Sequence, residues 1–328
     1  MNNGSDIREN EILSFDAALL PLLLIDRTRS VGNEVHNIIW ATDNYADRGD
    51  GYQEWGEITE AAISGENGMV LRPRVNKSRE EQERRSREKA EVFTAAWICN
   101  KQNNLVDCAW FGVGESPFNV ESDSGWTTRT EPVVFPEGRT WQDYVKDTRL
   151  EMACGEAPYL VSRYNVITGE EIAVGDRIGL LDRKLRIVCE NVAEEKEWFK
   201  WVIEAYRSIY GFEWQGDNLV LAREAMIYTF FDYYQKQFGK MPTKTQTRRV
   251  AEVVSWNLWQ MDGLKGVIPG SCYNKVTEEY TLFGEVIQHE EKCVGCETDN
   301  IYKHNGIYCR IKDWEKGRTV RFIDLLKQ

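Results

Sequence analysis

Histidine is scarce in this chain: the three present, His36, His289 and His304, form no convincing Ser-His-Asp or Cys-His nucleophilic set. Long apolar runs are missing too. The longest, Leu19-Leu20-Pro21-Leu22-Leu23-Leu24-Ile25, falls far short of the roughly 20 residues a bilayer span requires, and it reads as a buried strand or a helical turn broken by Pro21. No membrane partner is therefore expected. The polar, partly acidic stretch Met1–Glu11 lacks the basic start of a secretory signal. Eight cysteines in 328 residues are too dilute for a disulfide framework, which makes the reducing cytoplasm the expected compartment. Positive charge is in deficit, with a formal net charge of −12, so any contact with nucleic acid has to be local. Internal repeats and low-complexity tracts are absent.

Tryptophan is abundant: twelve such side chains call for a packed interior or a base-stacking surface. The basic residues are unevenly placed. Between Tyr233 and Ala251 there is no acidic residue, while Lys236, Lys240, Lys244, Arg248 and Arg249 are all positive. Lys240, Lys244, Arg248 and Arg249 are the candidates for contact with a phosphate backbone. A second basic segment, Arg72–Lys89, also carries four glutamates and reads equally well as a solvated helix face with i,i+4 pairs. The acidic stretch Asp43–Glu60 holds no Asp…Glu-x-Lys arrangement of the nuclease kind and reads as solvated surface.

Periodicity predicts a charged helix over 78–90 and a second helix starting near Thr94 as N-cap. It predicts a Gly/Ser/Pro-rich loop over 112–138 and a strand over 149–154. Trp198, Trp201, Val202, Ala205, Tyr206 and Ile209 form a stripe of 3.6 period, followed by a strand over 209–213, a helix over 218–237 and a strand over 251–255. Strands alternating with helices argue for an α/β sheet with parallel strands. Three units are expected: an N-terminal α+β extension (1–88), a core (89–265) and a small cysteine-rich β subdomain (266–328).

Three short segments carry chemistry. The strand over 149–154 runs into the small-residue turn Cys154-Gly155-Glu156-Ala157-Pro158, and the next strand ends on Glu213. Such a turn lets the backbone approach a nucleotide-like ligand, and such a carboxylate can accept hydrogen bonds from ribose hydroxyls. Upstream lies Glu91-Val92-Phe93-Thr94-Ala95, and downstream lies Trp256-Asn257-Leu258-Trp259-Gln260.

In this order the three segments resemble the γ-type amino-methyltransferases of DNA restriction–modification systems, and in particular the short proteins called subunit M, over roughly residues 88–262. The resemblance implies a Rossmann-like core that binds S-adenosylmethionine. Phe93 and Thr94 would meet the cofactor, Cys154, Gly155 and Ala157 would line it, and Glu213 would hold its ribose. It also implies methyl transfer to adenine N6 in DNA. Asn257 would accept hydrogen bonds from the amine, Trp259 would stack on the extruded base, and Gln260 would close the catalytic motif. DNA would be one partner and a restriction or specificity subunit another. Ala95 stands where the family has proline, Pro158 stiffens the cofactor turn, and Leu258 interrupts the family's double-proline motif. A catalytically degenerate relative that binds DNA or a restriction partner is the alternative.

Cys293-Val294-Gly295-Cys296, followed by His304 and Cys309, has the knuckle spacing of a structural zinc site. Cys272 or His289 could replace His304 as the fourth ligand.

Overall fold

In the computed structural model, residues 9–92, 94–280 and 286–327 are described. The chain begins with two short helices, α1 (Glu9–Phe15) and α2 (Leu19–Leu24). Pro21 sits in the first turn of α2, where a missing N–H costs nothing because no intrahelical acceptor exists for it. An irregular stretch then leads to α3 (Glu60–Ile63) and α4 (Arg79–Lys89), the latter capped by the Ser78 hydroxyl accepting from the Glu81 N–H. The next helix, α5 (Ala96–Phe111), has Ala95 rather than Thr94 at its N-cap and ends on Gly112 in the left-handed region. The expected loop over 112–138 contains an antiparallel hairpin of β1 (Asn119–Glu121) and β2 (Trp126–Thr128).

The central layer follows. α6 (Trp141–Lys146) leads into β3 (Arg149–Met152), and α7 (Leu180–Asn191) with α8 (Glu195–Arg207) returns the chain to β4 (Ile209–Glu213). α9 (Gly216–Phe238) and α10 (Lys244–Asn257) then lead into β5 (Leu258–Gln260). β3, β4 and β5 pair in parallel and in that order, with Arg149 opposite Ile209 and Gly211 opposite Leu258. Helical crossovers are what parallel neighbours demand. The C-terminal part holds β6 (Lys275–Tyr280), β7 (Val286–Glu291), the short α11 (Val294–Thr298), β8 (Arg310–Asp313) and β9 (Arg318–Arg321) as two antiparallel hairpins flanking α11. The protein is thus a mixed helix-and-sheet structure. Among the described residues no helix is long and apolar enough to cross a membrane.

The strand expected over 251–255 is instead the last half of α10. A capping box between Thr243 and Gln246 starts this helix, and Thr247, Val250, Ala251 and Val254 fall on one buried face at helical spacing. Its β-branched residues favour strand in isolation, but packing decides. The pairing strand is only the three residues that follow.

One apolar cluster runs from Ile12 through Trp40, Val202 and Phe230 to Leu258, so residues of 1–88 and 89–265 share a core. Arg223 of α9, fully buried, ties that core together: its guanidinium donates to the carbonyls of Leu23, Ile25, Ser255 and Leu258. It thereby satisfies the orphan carbonyls at the ends of α2 and α10. Gly216 starts α9 hard against the chain, where a Cβ would lie 2.0 Å from the Ile39 carbonyl oxygen. A second cluster packs Ile39, Phe212 and Trp259 against Cys309, Ile311 and Phe322, which fastens the C-terminal part to the sheet.

Candidate cofactor cleft and metal cluster

The C-terminal ends of β3, β4 and β5 open onto a cleft of about 1260 Å³. A ligand site is expected outside the carboxyl ends of parallel strands, because the turns there present backbone N–H groups and are free of the ladder. The turn after β3 is unusual. Ala153, Gly155 and Ala157 all have positive φ (50, 53 and 61°), and each alanine costs about 1–2 kcal/mol there. Glu213, at the end of β4, holds this turn: its Oε2 accepts the Gly155 N–H at 2.8 Å, and its Oε1 accepts the Gln215 N–H at 3.0 Å. Burial pushes the Glu213 carboxyl up to about 7, against the two N–H donors, and the nearby Asp217 and Glu91 charges push the same way.

Thr94, Cys154, Gly155 and Glu213, all expected at a cofactor, line this one cleft. Ala157 does not; it lies one turn deeper and is fully buried in the main core. Phe93 lies outside the described residues. Further carboxylates line the cleft, Glu151 and Asp262 among them. Glu151, on β3, is buried, with Oε1 accepting the Tyr159 N–H at 3.4 Å and Oε2 unpartnered. Burial raises its carboxyl well above the usual range. Asp262 follows β5, and its Oδ1 accepts the N–H groups of Leu264 (3.0 Å) and Lys265 (3.2 Å). The signal for Asp262 was available: a short apolar run reaching Met261 and breaking at Asp262-Gly263 marks a strand end.

The three residues expected at the catalytic centre are placed elsewhere and are occupied. Asn257 closes α10, before β5 begins. Its Nδ2 donates to the carbonyls of Tyr206, Arg207 and Ile209 at 3.0, 3.1 and 2.9 Å, and its Oδ1 accepts the Trp314 indole N–H at 2.7 Å. Trp259 is buried against Phe212 and Phe322, with its indole N–H on the Met261 sulfur at 3.3 Å. Gln260 is clamped to the N-terminal part: Oε1 accepts the Ile39 N–H, and Nε2 donates to the Ile39 and Trp214 carbonyls at 2.8 Å each. None of the three is on the cleft lining. Both amides are buried and off the cleft, so neither amide oxygen can reach an amine bound there.

The four candidate phosphate contacts are exposed, but two already have acidic partners from distant parts of the chain. Lys240 pairs with Glu195 at 2.7 Å, and Arg248 forms a two-point pair with Asp16 at 2.6 and 2.7 Å. Lys244 and Arg249, also on α10, are not on the cleft lining either.

In the cysteine-rich part, Cys272, Cys293, Cys296 and His304 converge, with their ligand atoms all within 4.8 Å of one another. His304 Nδ1 lies 3.6, 3.7 and 3.6 Å from the sulfurs of Cys272, Cys293 and Cys296. This Cys₃His set could hold a metal ion. Cys309, expected as a ligand, is instead buried in the second core with its thiol on the Gln260 carbonyl at 3.3 Å, and Cys272 takes its place. The His289 side chain lies outside the described residues. The Asn305 N–H donates to the Cys293 sulfur at 3.4 Å, an outer contact of the kind that orients metal thiolates.

Compared with family models, curated proteins and solved structures, the chain matches none, so its chemistry has to be argued from the cleft and the cluster themselves.

Proposed function

We propose that the cleft binds S-adenosylmethionine within a Rossmann-like core, and that the chain is a cytoplasmic methyltransferase-fold component of a DNA restriction–modification system. The observation that carries this reading is the convergence, at the ends of three adjacent parallel strands, of a tight positive-φ turn with Glu151, Glu213 and Asp262. The donor set suits a nucleoside. Glu213 is positioned to accept from ribose hydroxyls, and the Glu151 Oε2 is a buried polar atom with no partner of its own. Asp262, one strand along, offers an acceptor for the amine of an adenine ring. Thr94 and the backbone around Gly155 would close over the amino-acid end. When bound, S-adenosylmethionine supplies an activated methyl group. The protein's task is then to orient it and exclude water.

Methyl transfer to adenine N6 in DNA is the activity implied. The tied-down Asn257 and Gln260 favour a second reading for this chain taken alone: a catalytically degenerate relative that retains the cofactor cleft and binds DNA or a restriction partner. In both readings the Cys₃His cluster carries a structural zinc. Calorimetry with S-adenosylhomocysteine tests the shared part, and absence of binding, with Glu213→Gln indistinguishable from the parent, would sink it. Transfer of labelled methyl groups to mixed-sequence DNA separates the two readings.

A further inference from the structure

Bond lengths first test whether zinc fits. Tetrahedral zinc with a Zn–S bond of about 2.3 Å and a Zn–N bond of about 2.0–2.1 Å places sulfur and nitrogen about 3.5–3.6 Å apart. The three Sγ···Nδ1 separations of 3.6, 3.7 and 3.6 Å agree with that edge. Gly295 keeps the centre open, because a Cβ there would lie 2.5 Å from His304 Nδ1.

The ligands lie on chain segments that lead directly to the cleft. From Asp262 the chain makes a turn, closed by the Gly266 N–H donating to the Asp262 carbonyl at 2.7 Å, and then runs through Val267 and Ile268 to Cys272. From His304 it runs through Ile307 and Tyr308 to Cys309. These two runs pair: Ile268 N–H donates to the Ile307 carbonyl at 2.8 Å, Cys309 N–H to the Gly266 carbonyl at 3.0 Å, and Val267 bridges Tyr308. The same Val267 accepts from Asp262 N–H at 2.8 Å. A metal joining Cys272 to His304 therefore clamps one end of a two-stranded lever whose other end is the Asp262 turn. Asp262, Leu264 and Lys265 of that turn line the cleft.

We propose that zinc bound by Cys272, Cys293, Cys296 and His304 braces the Asp262 turn, so that the affinity of the cleft for its adenosyl ligand depends on metal load. The proposal rests on the cofactor reading of the cleft. Linkage makes it reciprocal: whatever factor zinc adds to ligand affinity, the ligand adds to zinc affinity.

The experiment uses the full chain, with zinc removed by a chelator and restored. Metal analysis should give one zinc per chain, and cobalt replacement should give the visible spectrum of tetrahedral thiolate coordination. Amide hydrogen exchange then reads the brace without any ligand. Removing zinc should expose the amides of Asp262, Gly266, Ile268 and Cys309, which the turn and its pairing protect, while those of α7 and α9 stay protected, and restoring zinc should reverse this. S-adenosylhomocysteine should bind the zinc-free protein at least about fivefold more weakly, the lower end of typical couplings between sites. Cys272→Ser should reproduce both effects, and Cys309→Ser should keep the metal. Absence of stoichiometric zinc, or unchanged exchange at the turn on its removal, overturns the brace. If exchange responds but the zinc-loaded protein binds no S-adenosylhomocysteine, the cofactor reading fails and the metal-to-affinity proposal falls with it.

Discussion

Glu213 should make ligand binding strongly dependent on pH around neutrality. Its carboxyl is held up to about 7 by burial. Ribose hydroxyls donate hydrogen bonds and so favour the ionised form. A ligand that needs the carboxylate must therefore drive off a proton wherever the free protein carries one. With a value of about 7, the ionised fraction rises from roughly a tenth at pH 6 to roughly nine tenths at pH 8, a tenfold gain in affinity worth about 1.4 kcal/mol. The free protein behaves in the opposite sense. Because the folded value lies above the unfolded 4.5, the contribution of Glu213 to stability is complete below about 4.5 and is lost as pH rises through about 7, by roughly 3 kcal/mol in all.

Calorimetry with S-adenosylhomocysteine from pH 6 to 8, in buffers of different ionisation heat, measures both the slope and the protons released. The neighbours that could blur the result are Glu151 and Cys154 from the β3 side, Glu91, Asp217 on α9, and Asp262 and Lys265 after β5. Glu213→Gln isolates the effect, since it keeps the shape and removes the titration. Affinity should be flat in that variant and should rise about tenfold from pH 6 to 8 in the parent. A flat parent, or an equal slope in both, refutes the assignment of Glu213 to the ligand.

Asn257→Ala should cost about 3 kcal/mol in urea unfolding, because it unpairs three buried carbonyls and the Trp314 indole. A fully stable but inactive variant would instead restore Asn257 to the catalytic role. Arg85→Met should cost about 3–5 kcal/mol, as it leaves Glu91 and Asp217 buried without their partner. Burial raises the Asp217 carboxyl, but Arg85 outweighs this and holds it below 3.8. That stability is present at neutral pH and is lost as pH falls through the acid range, so the variant's deficit relative to the parent should be largest at neutral pH and shrink in acid. Gly295→Ala should abolish the cobalt spectrum of the cluster, given the 2.5 Å approach to both His304 N and Nδ1.

What could be read from the sequence was what short-range pattern encodes. A strand followed by a small-residue turn, and a strand ending on an acid, placed Cys154, Gly155 and Glu213 in one cleft, because the parallel pairing of Arg149–Met152 with Ile209–Phe212 sets both strand ends side by side. The expected site residues that prove to be engaged elsewhere share one cause: a partner far along the chain. Asn257 looked free until the carbonyls of the α8–β4 junction and Trp314 consumed it. Lys240 and Arg248 looked unpaired because Glu195 and Asp16 lie well outside their own segment. Cys309 had a plausible spacing from Cys296, but the pairing of Val267 with Tyr308 turns it toward Gln260 and brings Cys272 to His304 instead.

These long-range contacts concern positions from the end of α9 through α10 and β5 into the C-terminal part, while the readable ones cluster around β3 and β4. The cofactor half of the proposed chemistry therefore rests on local geometry. A catalytic half must be built from side chains that still have hydrogen-bonding capacity facing the cleft. Asn257, Trp259 and Gln260 do not meet that condition, so an active enzyme would require its amine acceptor to come from another residue or from a partner.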